Sequence, residues 1–326
     1  MGLPSIAGIL AAALAVASSV SLGQTAPAFP SRPITIVAPF PPGSSTDHEL
    51  RIYQEGVTDY FKQQVLIDYK PGASNQIANS YVARQKPDGY TVVGTVAAST
   101  LLPALKEDLN FDLLKELAPV SLTTRRTFVM VARPTLPANN LGEFLAYARA
   151  NPGKITWSTV GPGSGLHMVG EWLAASAGVK FLFVHYKGSA VAELDLMAGR
   201  TDVTPKALIS ALPIIKSGKV KVIAIATSAR SPLLPEVKTV AEQGFPGYDY
   251  PGWIGIMTTG GTPQAILNRL SAAFKAAVMS PAAMKGWEEQ GTTPVGSTPE
   301  EFRKVLATEI AIWKKLVKDN NIKAED

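Results

Sequence analysis

Cysteine is absent from the 326 residues of this chain, which excludes disulfides, thiolate metal sites and cysteine nucleophiles. Histidine is scarce, with three residues in all, and no serine, histidine and aspartate follow an order that supports a catalytic triad. A hydrolase is therefore a weak interpretation. His167 and Glu171 have a four-residue spacing that suits metal binding on a helix. An isolated pair of side chains with this spacing, however, more often lies on the surface or supports neighbouring residues. We expect no metal and no cofactor.

Charged residues are also few, at 17% of the chain, and the 31 lysines and arginines exceed the 26 acidic residues by five. No basic cluster is interleaved with aromatic residues, so we expect no nucleic-acid partner. An apolar content of 46% indicates a folded globular protein. The length is enough for two hydrophobic cores, because single cores stop growing at about 250–300 residues.

Long hydrophobic runs are missing except between Ile6 and Leu22, a stretch of small apolar residues. This run is too short and too rich in serine for a membrane span, and small residues follow it. We interpret residues 1–28 as a cleaved signal peptide and expect an exported bacterial protein. No lysine or arginine precedes the run, which leaves an uncleaved anchor as the alternative.

The stretch from Ile34 to Glu49 has the pattern of a strand, a loop and a helix start. A β-branched run ends at three prolines, small residues follow, and Thr46 has the spacing of a helix N-cap with Glu49 as its capping-box partner. Such a unit presents backbone N–H groups and a helix dipole that favour an anion. An ordinary connection between a strand and a helix is the competing interpretation.

Strands and helices then alternate at lengths typical of parallel sheets with helices on their faces. Two strand-like runs, 119–124 and 128–132, are separated by little more than Arg125 and Arg126, which suits a crossing from one sheet to another. We predict further strands at 65–69, 90–96, 155–160, 181–186, 220–226 and 253–257. The prediction is an α/β protein of two lobes joined by short crossing strands. Caps are expected at Thr262 and Thr298, each with proline as the first helical residue.

The glycine-rich run Gly161–Gly165 follows a predicted strand and precedes a predicted helix. It lacks the third glycine of the dinucleotide fingerprint, the Gly-Lys of a P-loop and the central serine of a nucleophile elbow. What remains is a second helix start, with Ser164 as its cap. If the lobes face each other, the two helix starts converge on one cleft. Trp157 adjoins this loop, and of the tryptophans we expect it to contact a ligand.

Taken together, these motifs resemble the Bug/TctC family, the extracytoplasmic solute-binding components of tripartite tricarboxylate transporters. The similarity runs from Phe29 to Ile322. It rests on an ordered set of short motifs: Pro30–Gly43 with Thr46-Asp47, Pro71-Gly72, Val82–Arg84, Pro87–Tyr90, Asn151–Lys154, Gly163-Ser164 with His167, His185–Gly188, Thr227–Arg230 and Gly261–Pro263.

The resemblance implies a two-lobed periplasmic-binding-protein fold of the Venus flytrap type. Lobe 1 would comprise 29–125 and 231–326, and lobe 2 would comprise 126–230. It implies a small carboxylate held in the cleft by two loops and a strand end. The implied ligand-binding residues are Phe40, Gly43, Ser44, Ser45, Thr46 and Asp47 on one side, Ser158, Thr159, Gly161, Gly163, Ser164 and His167 on the other, and Tyr186 with Gly188 at the strand end.

Two departures from the family pattern bear on the ligand. Ser44 and Ser45 replace the usual diglycine, and their added atoms can reshape the pocket. Lys206 in Val203–Lys206 stands where an acidic residue is more usual. Our hypothesis is that Lys206 pairs with the distal group of a dicarboxylate; the alternative is a solvated lysine on a loop.

The function implied is non-enzymatic. A monomer binds a small carboxylate and delivers it to the membrane permease subunits of a tripartite transporter. The alternative is a ligand sensor that passes lobe closure to a two-component signalling partner. Dicarboxylates, tricarboxylates, amino acids and aromatic acids all remain open as ligands.

Overall fold

A computed structural model of the chain describes residues 29–72, 75–105, 111–250, 252–289 and 291–320. The predicted signal peptide, residues 1–28, lies outside these ranges. Within them, no helix combines the length and the apolar character that a membrane crossing requires.

The first sheet has six strands in the order β11-β4-β10-β3-β1-β2. β1 pairs in parallel with β2 and β3, whereas β10 runs antiparallel to both of its neighbours, β3 and β4. The strands are β1 (Ile34–Ala38), β2 (Val65–Tyr69), β3 (Thr91–Val96), β4 (Leu117–Arg126), β10 (Trp253–Thr259) and β11 (Thr292–Pro294).

The second sheet has five strands in the order β7-β6-β8-β5-β9. β6 is parallel to β7 and β8, and β5 is antiparallel to β8 and β9. Its strands are β5 (Phe128–Ala132), β6 (Ile155–Thr159), β7 (Phe181–His185), β8 (Val203–Ala207) and β9 (Lys221–Ile225).

Helices cover the faces of both sheets. In chain order they are α1 (Ser45–Phe61), α2 (Gln76–Ala83), α3 (Leu102–Leu105), α4 (Leu113–Glu116), α5 (Leu141–Ala150), α6 (Gly165–Ala177), α7 (Ser189–Met197), α8 (Leu208–Lys216), α9 (Gln264–Val278), α10 (Pro281–Glu289) and α11 (Pro299–Asn320).

The chain passes between the sheets where the sequence predicts a crossing. β4 ends at Arg126 in the first sheet and β5 begins at Phe128 in the second, so only Thr127 lies between them. The return runs from the end of β9 to the start of β10. The predicted pair of α/β lobes with crossing strands is therefore confirmed. The lobe limits predicted at 125/126 and 230/231 stay predictions.

The last helix packs against both cores. Phe302 and Leu306 belong to the apolar cluster of the first sheet, together with Val93. Two turns later, Trp313 and Leu316 belong to the cluster that contains the strands and helices of the second sheet. α11 therefore ties the two lobes together through buried apolar surface.

Of the two helix caps predicted at Thr298 and Thr262, the first is confirmed and the second is wrong. Thr298 caps α11 as predicted, because its hydroxyl accepts the Glu301 N–H while the Glu301 carboxylate accepts the Thr298 N–H. At the other helix, α9 begins at Gln264 and Pro263 holds the N-cap position with extended ψ. The prediction of Thr262 as that cap is wrong; its hydroxyl instead donates to the Thr259 carbonyl.

Candidate ligand-binding site

Loop 1, residues 39–44, connects β1 to α1. Gly43 has a φ of 81°, a left-handed conformation that glycine adopts without strain, and it turns the chain into the helix. Ser44 is the N-cap, and its Oγ accepts the Asp47 N–H at 3.1 Å. The prediction of Thr46 as the cap is wrong: α1 begins at Ser45, so Thr46 lies inside the first turn.

Asp47 closes loop 1 from within. Its carboxylate accepts the Gly43 N–H at 2.8 Å, the Tyr69 hydroxyl at 2.7 Å and the Arg51 Nε at 3.1 Å. Burial acts to raise the pKa of Asp47, but these hydrogen bonds outweigh burial and hold the pKa below its ordinary value. Asp47 is therefore an ionised group whose role in this structure is to fix the loop.

Loop 2, residues 160–164, connects β6 to α6 and ends in the predicted cap. The Ser164 Oγ accepts the His167 N–H at 3.3 Å. Gly163 is left-handed at φ 67°, and its N–H donates to His167 Nδ1 at 3.0 Å. The other ring nitrogen of His167 lies 3.4 Å from a Glu171 carboxylate oxygen. Among the described residues, no group of three or more histidine, cysteine, aspartate or glutamate side chains could hold a metal ion.

The two loops have the same construction. Each has a Pro-Gly-Ser run in which glycine is left-handed and serine caps the helix, with ψ of 159° at Ser44 and 158° at Ser164. Three residues beyond each cap, a side chain accepts the N–H of that glycine: Asp47 in loop 1 and His167 in loop 2. Each lobe thus presents one helix N-terminus of matching geometry, with a carboxylate in the first and an imidazole in the second.

The strand below loop 2 supplies further polar atoms. The Thr159 hydroxyl pairs with His185 Nδ1 at 2.5 Å and accepts the Gly161 N–H at 3.2 Å, which secures the start of the loop. The Ser158 hydroxyl is buried and has no hydrogen-bond partner among the described residues. Because buried hydroxyls are normally paired, Ser158 offers an unused polar group under loop 2.

A cavity of about 260 Å³ adjoins loop 1, and we call it the cleft cavity. Loop 1 and the first turn of α1 contribute Phe40, Ser44 and Thr46 to its lining. The rest comes from the end of β3 and from the two crossings: Val96, Ala97, Ala98, Arg126, Phe128, Tyr250, Gly252, Trp253 and Ile254. The site therefore lies where a loop of the first lobe meets the hinge.

Tyr250 connects this cavity to loop 2. Its ring lines the cavity and stacks on Phe128 with centroids 4.1 Å apart. Its hydroxyl lies 2.9 Å from the position that a Cβ on Gly165 would occupy, at the first residue of α6. The helix start of lobe 2 therefore approaches the wall of the cleft cavity through Tyr250.

Glu49 does not cap α1. It is fully buried, and one carboxylate oxygen accepts the Thr124 hydroxyl at 2.6 Å and the Tyr53 hydroxyl at 3.2 Å. The other oxygen accepts the Arg126 Nε at 2.7 Å and forms an ion pair with the Nη2 atom of the same guanidinium. This buried pair joins α1 to the last residue of β4, beside the cleft cavity.

Trp157 lies in the core of the second lobe. It is fully buried, its Nε1 donates to the Leu166 carbonyl at 2.9 Å, and its ring stacks on Phe181. The expectation that Trp157 contacts a ligand is contradicted by this burial. The residue supports loop 2 from beneath, because its hydrogen bond holds the first turn of α6.

Lys206 is a strand residue rather than a loop residue. It lies in β8, its side chain is 15% exposed, and its ammonium group forms an ion pair with Glu193 of α7. The alternative of a solvated lysine on a loop is therefore wrong. The hypothesis that Lys206 binds a distal carboxylate is weakened as well, because its charge already has a partner.

The strand end after β7 has its own fixed contacts. The Tyr186 N–H donates to the Thr159 carbonyl at 3.0 Å, and its hydroxyl donates to Asp195 at 2.8 Å. Burial, together with the hydrogen bond to Asp195, raises the pKa of Tyr186. Gly188 is the N-cap of α7. These residues follow β7, and loop 2 follows the neighbouring parallel strand β6, so both lie at the same end of the second sheet.

Sequence reasoning missed Arg126, Phe128 and Tyr250, which line the cleft cavity from the crossings. The adjacent Arg125-Arg126 marked the crossing itself, and that was the available signal for Arg126. Nothing local to Tyr250 indicates its place, because its partners Phe128 and Gly165 are far from it in sequence.

Comparison with known proteins agrees with this architecture. A sequence model described as the tripartite tricarboxylate transporter family receptor matches residues 50–322. Protein BugT of Bordetella pertussis is 31% identical over 321 residues, which cover 98% of this chain and 97% of BugT.

Two solved structures from Rhodopseudomonas palustris also match. One, determined with adipate, is 30% identical with a TM-score of 0.76 and covers 90% of this chain and 99% of its own. The other, MatC with bound malate, is 28% identical with a TM-score of 0.73 and covers 89% of this chain and 100% of its own. The two sheets, the crossings and these matches together identify the fold as that of two-lobed periplasmic binding proteins. The chain belongs to the tripartite tricarboxylate transporter receptor family, which includes the Bug proteins.

Proposed function

We propose that this protein is a periplasmic, non-enzymatic receptor that binds a small carboxylate between loop 1 and loop 2 and delivers it to the membrane permease of a tripartite transporter. The observation that carries the proposal is the matched pair of serine-capped helix starts, one in each lobe. The adipate and malate found in two solved relatives support a dicarboxylate of four to six carbons. Export through a signal peptide in residues 1–28 is part of the same proposal.

The two loops would make different contacts with the ligand. Loop 1 already contains the ionised Asp47, which occupies the Gly43 N–H. In loop 2 the corresponding acceptor is a ring nitrogen of His167, which carries no charge in that role. The first N–H groups of α6 have no partner within the helix, because they precede the first helical hydrogen bond. We therefore place a carboxylate of the ligand at the start of α6.

The remainder of the ligand would lie in the cleft cavity. Phe40, Phe128 and Tyr250 supply apolar surface there, and Ser44 and Thr46 supply polar atoms. The Arg126 guanidinium borders the cavity, but its charge is balanced by buried Glu49. We leave Trp157 and Lys206 out of the proposed contacts, because one is in the core and the other is paired.

The test is a thermal-shift and calorimetric titration with succinate, malate, adipate and benzoate. Adipamide, which keeps the chain length of adipate without its charges, is the control. At a free ligand concentration of 100 times Kd, binding stabilises the folded state by about 2.7 kcal/mol. A carboxylate must stabilise the protein and adipamide must not. Carboxylate binding would be refuted if adipamide stabilised the protein as much as adipate does, or if no carboxylate of the panel stabilised it.

Two matched variants test the division between the loops. Ser164→Ala and Ser44→Ala each remove one cap and should cost about 1 kcal/mol of stability. We expect Ser164→Ala to weaken carboxylate binding more than Ser44→Ala, because loop 2 holds the charged end. Equal losses would contradict that placement.

Delivery is tested by uptake of the labelled ligand in cells with and without the receptor, and unchanged uptake would favour a sensor.

A further inference from the structure

The contacts of His167 fix which of its ring nitrogens carries the proton. Nδ1 accepts the Gly163 N–H at 3.0 Å, so Nδ1 carries no proton while that hydrogen bond is formed. The ring proton is therefore on Nε2, which lies 3.4 Å from a carboxylate oxygen of Glu171. The His167 side chain is 9% exposed and so largely shielded from water. Loop 2 in this conformation thus requires a neutral imidazole.

Two titratable side chains contact the His167 ring in the described part of the chain. Glu171 lies one turn later on α6, and its carboxylate favours a charged ring. His185 on β7 meets the ring edge to face, with centroids 5.1 Å apart, and a second imidazolium there would oppose the charge. These two neighbours act in opposite directions, so a further negative charge can decide the protonation of His167.

The other elements around loop 2 supply no competing charge. β6 and loop 2, residues 155–164, contain no charged side chain, and neither does α3, whose Leu105 lies beside Gly163. Tyr250, which approaches the first residue of α6, stays protonated because burial raises its pKa. Histidine is the side chain that ordinarily titrates near neutral pH, and His167 lies in the first turn of α6.

A carboxylate bound at the start of α6 would change this balance. Its oxygens would accept the N–H groups of the first turn and that of Gly163, so Gly163 would no longer depend on His167 as its acceptor. Nδ1 could then take a proton without facing a second donor. Because His167 lies in the first turn of α6, the imidazolium and the carboxylate would attract each other. The neutral ring is therefore favoured without a ligand and the charged ring with one.

We propose that the protein takes up its carboxylate together with a proton from solvent, which His167 accepts at Nδ1 as the Gly163 N–H turns to the ligand. This uptake presupposes the proposed function, because it requires a carboxylate at the start of α6. Asp47, the counterpart in loop 1, takes no part because its own carboxylate stays ionised. Carboxyl groups titrate at about pH 4, so the ligand keeps its charge between pH 6 and pH 8. Its affinity should therefore rise as the pH falls over that range.

The probe is whichever of succinate, malate, adipate and benzoate binds most tightly to the full-length protein. Calorimetry in phosphate and in Tris measures the proton uptake, because the two buffers release protons with different enthalpies. A one-unit rise in the titration midpoint of an ordinary histidine corresponds to about half a proton at pH 7 and to about fivefold higher affinity at pH 6 than at pH 8. His167→Asn keeps an oxygen for the Gly163 N–H but cannot take a proton, so both effects should disappear. His48→Asn, at an exposed position on α1, is the matched control and should retain both.

Carboxylate binding without proton uptake would overturn the role of His167 and leave the proposed function standing. Uptake that persists in His167→Asn and disappears in His185→Asn would assign the proton to His185 instead. If none of the four carboxylates binds, the proposed function fails and the proton uptake fails with it. If His167→Asn does not fold, NMR of the three histidine rings in the unaltered protein decides the question, with His48→Asn and His185→Asn assigning the signals by elimination. The titration of the His167 ring must then move to higher pH on ligand binding, and an unmoved titration refutes the uptake.

Discussion

Replacing Arg126 by methionine leaves the fully buried Glu49 carboxylate without its cation. Breaking a buried ion pair from one side typically costs about 3–5 kcal/mol, because the remaining charge stays out of water. The hydroxyls of Tyr53 and Thr124 continue to donate to Glu49 in this variant. We therefore expect Arg126→Met to lower the free energy of unfolding by about 3 kcal/mol, the lower end of that range.

The two partners should not be equivalent. The Arg126 side chain is 19% exposed whereas that of Glu49 is 0% exposed, so a stranded guanidinium can reach water and a stranded carboxylate cannot. Glu49→Gln also keeps an oxygen that accepts from Thr124. We expect Glu49→Gln to cost about 1–2 kcal/mol, within the usual penalty for a poorly paired buried polar group.

The double variant Glu49→Leu/Arg126→Met removes both charges. Without Glu49, the hydroxyl oxygens of Tyr53 and Thr124, which lie 3.1 Å apart, can hydrogen-bond to each other, and one hydroxyl proton is left without an acceptor. The expected cost is about 1 kcal/mol, and the double variant should be more stable than Arg126→Met alone.

Urea unfolding, followed by tryptophan fluorescence on ligand-free protein, measures these differences. Arg125→Met is the matched control, because the neighbouring arginine faces Asp249 at 3.6 Å with both side chains about one-third exposed. Such a pair contributes about 0–1 kcal/mol. A cost of Arg126→Met no greater than that of Arg125→Met, or a double variant less stable than Arg126→Met, would show that the buried pair does not contribute as described.

Two further predictions concern pH and the contact between the lobes. Burial raises the pKa of Glu309 from 4.5 to about 7 against the opposing hydrogen bonds from Trp253 and Thr100. The folded state therefore binds more protons than the unfolded state between these values, and stability falls as the pH rises from 4.5 to about 7. Over this pH range the free energy of unfolding should fall by about 3 kcal/mol, at 1.36 kcal/mol per pH unit. Urea unfolding at pH 5 and pH 8 measures this fall, and Glu309→Gln should remove it. If the fall is unchanged in Glu309→Gln, it comes from another group. Gly165→Ala places a Cβ 2.9 Å from the Tyr250 hydroxyl and should weaken carboxylate binding. The double variant Gly165→Ala/Tyr250→Phe removes that hydroxyl and should recover the affinity. If the affinity is not recovered, the contact with Tyr250 is not the cause of the loss.

The sequence predicts the elements well where local signals agree. The strand and helix from Ile34 to Phe61 follow a β-branched run, a proline-glycine loop and an apolar helical spacing, all of which point to the same structure. The cap was misplaced by two residues because Ser44 and Thr46 are both good N-caps. The choice depends on Gly43, whose left-handed turn and hydrogen bond to Asp47 fix the N-cap at the next residue, Ser44.

The strand β8 was missed because Pro205 lies in its centre and proline normally excludes a central strand. Here β6 pairs with β8 only between Trp157 and Val203, so beyond Val203 one side of β8 is not occupied by β6. Pro205 can therefore lack an N–H without breaking a ladder on that side.

The sequence also did not indicate the burial of Glu49. Its partners Thr124 and Arg126 are more than 70 residues away, and no local pattern reports them.

In the binding mode proposed here, the difference between Asp47 and His167 would let two similar loops hold opposite ends of one ligand. Each helix start carries partial positive charge and favours an anion. At α1 that preference is already met by Asp47, which remains ionised because Gly43, Tyr69 and Arg51 all donate to it. At α6 the equivalent position offers only a ring nitrogen to Gly163, so the electrostatic preference for an anion remains. A ligand with one carboxylate should therefore place it at α6, and its less polar part should face loop 1 and the stacked pair of Phe128 and Tyr250.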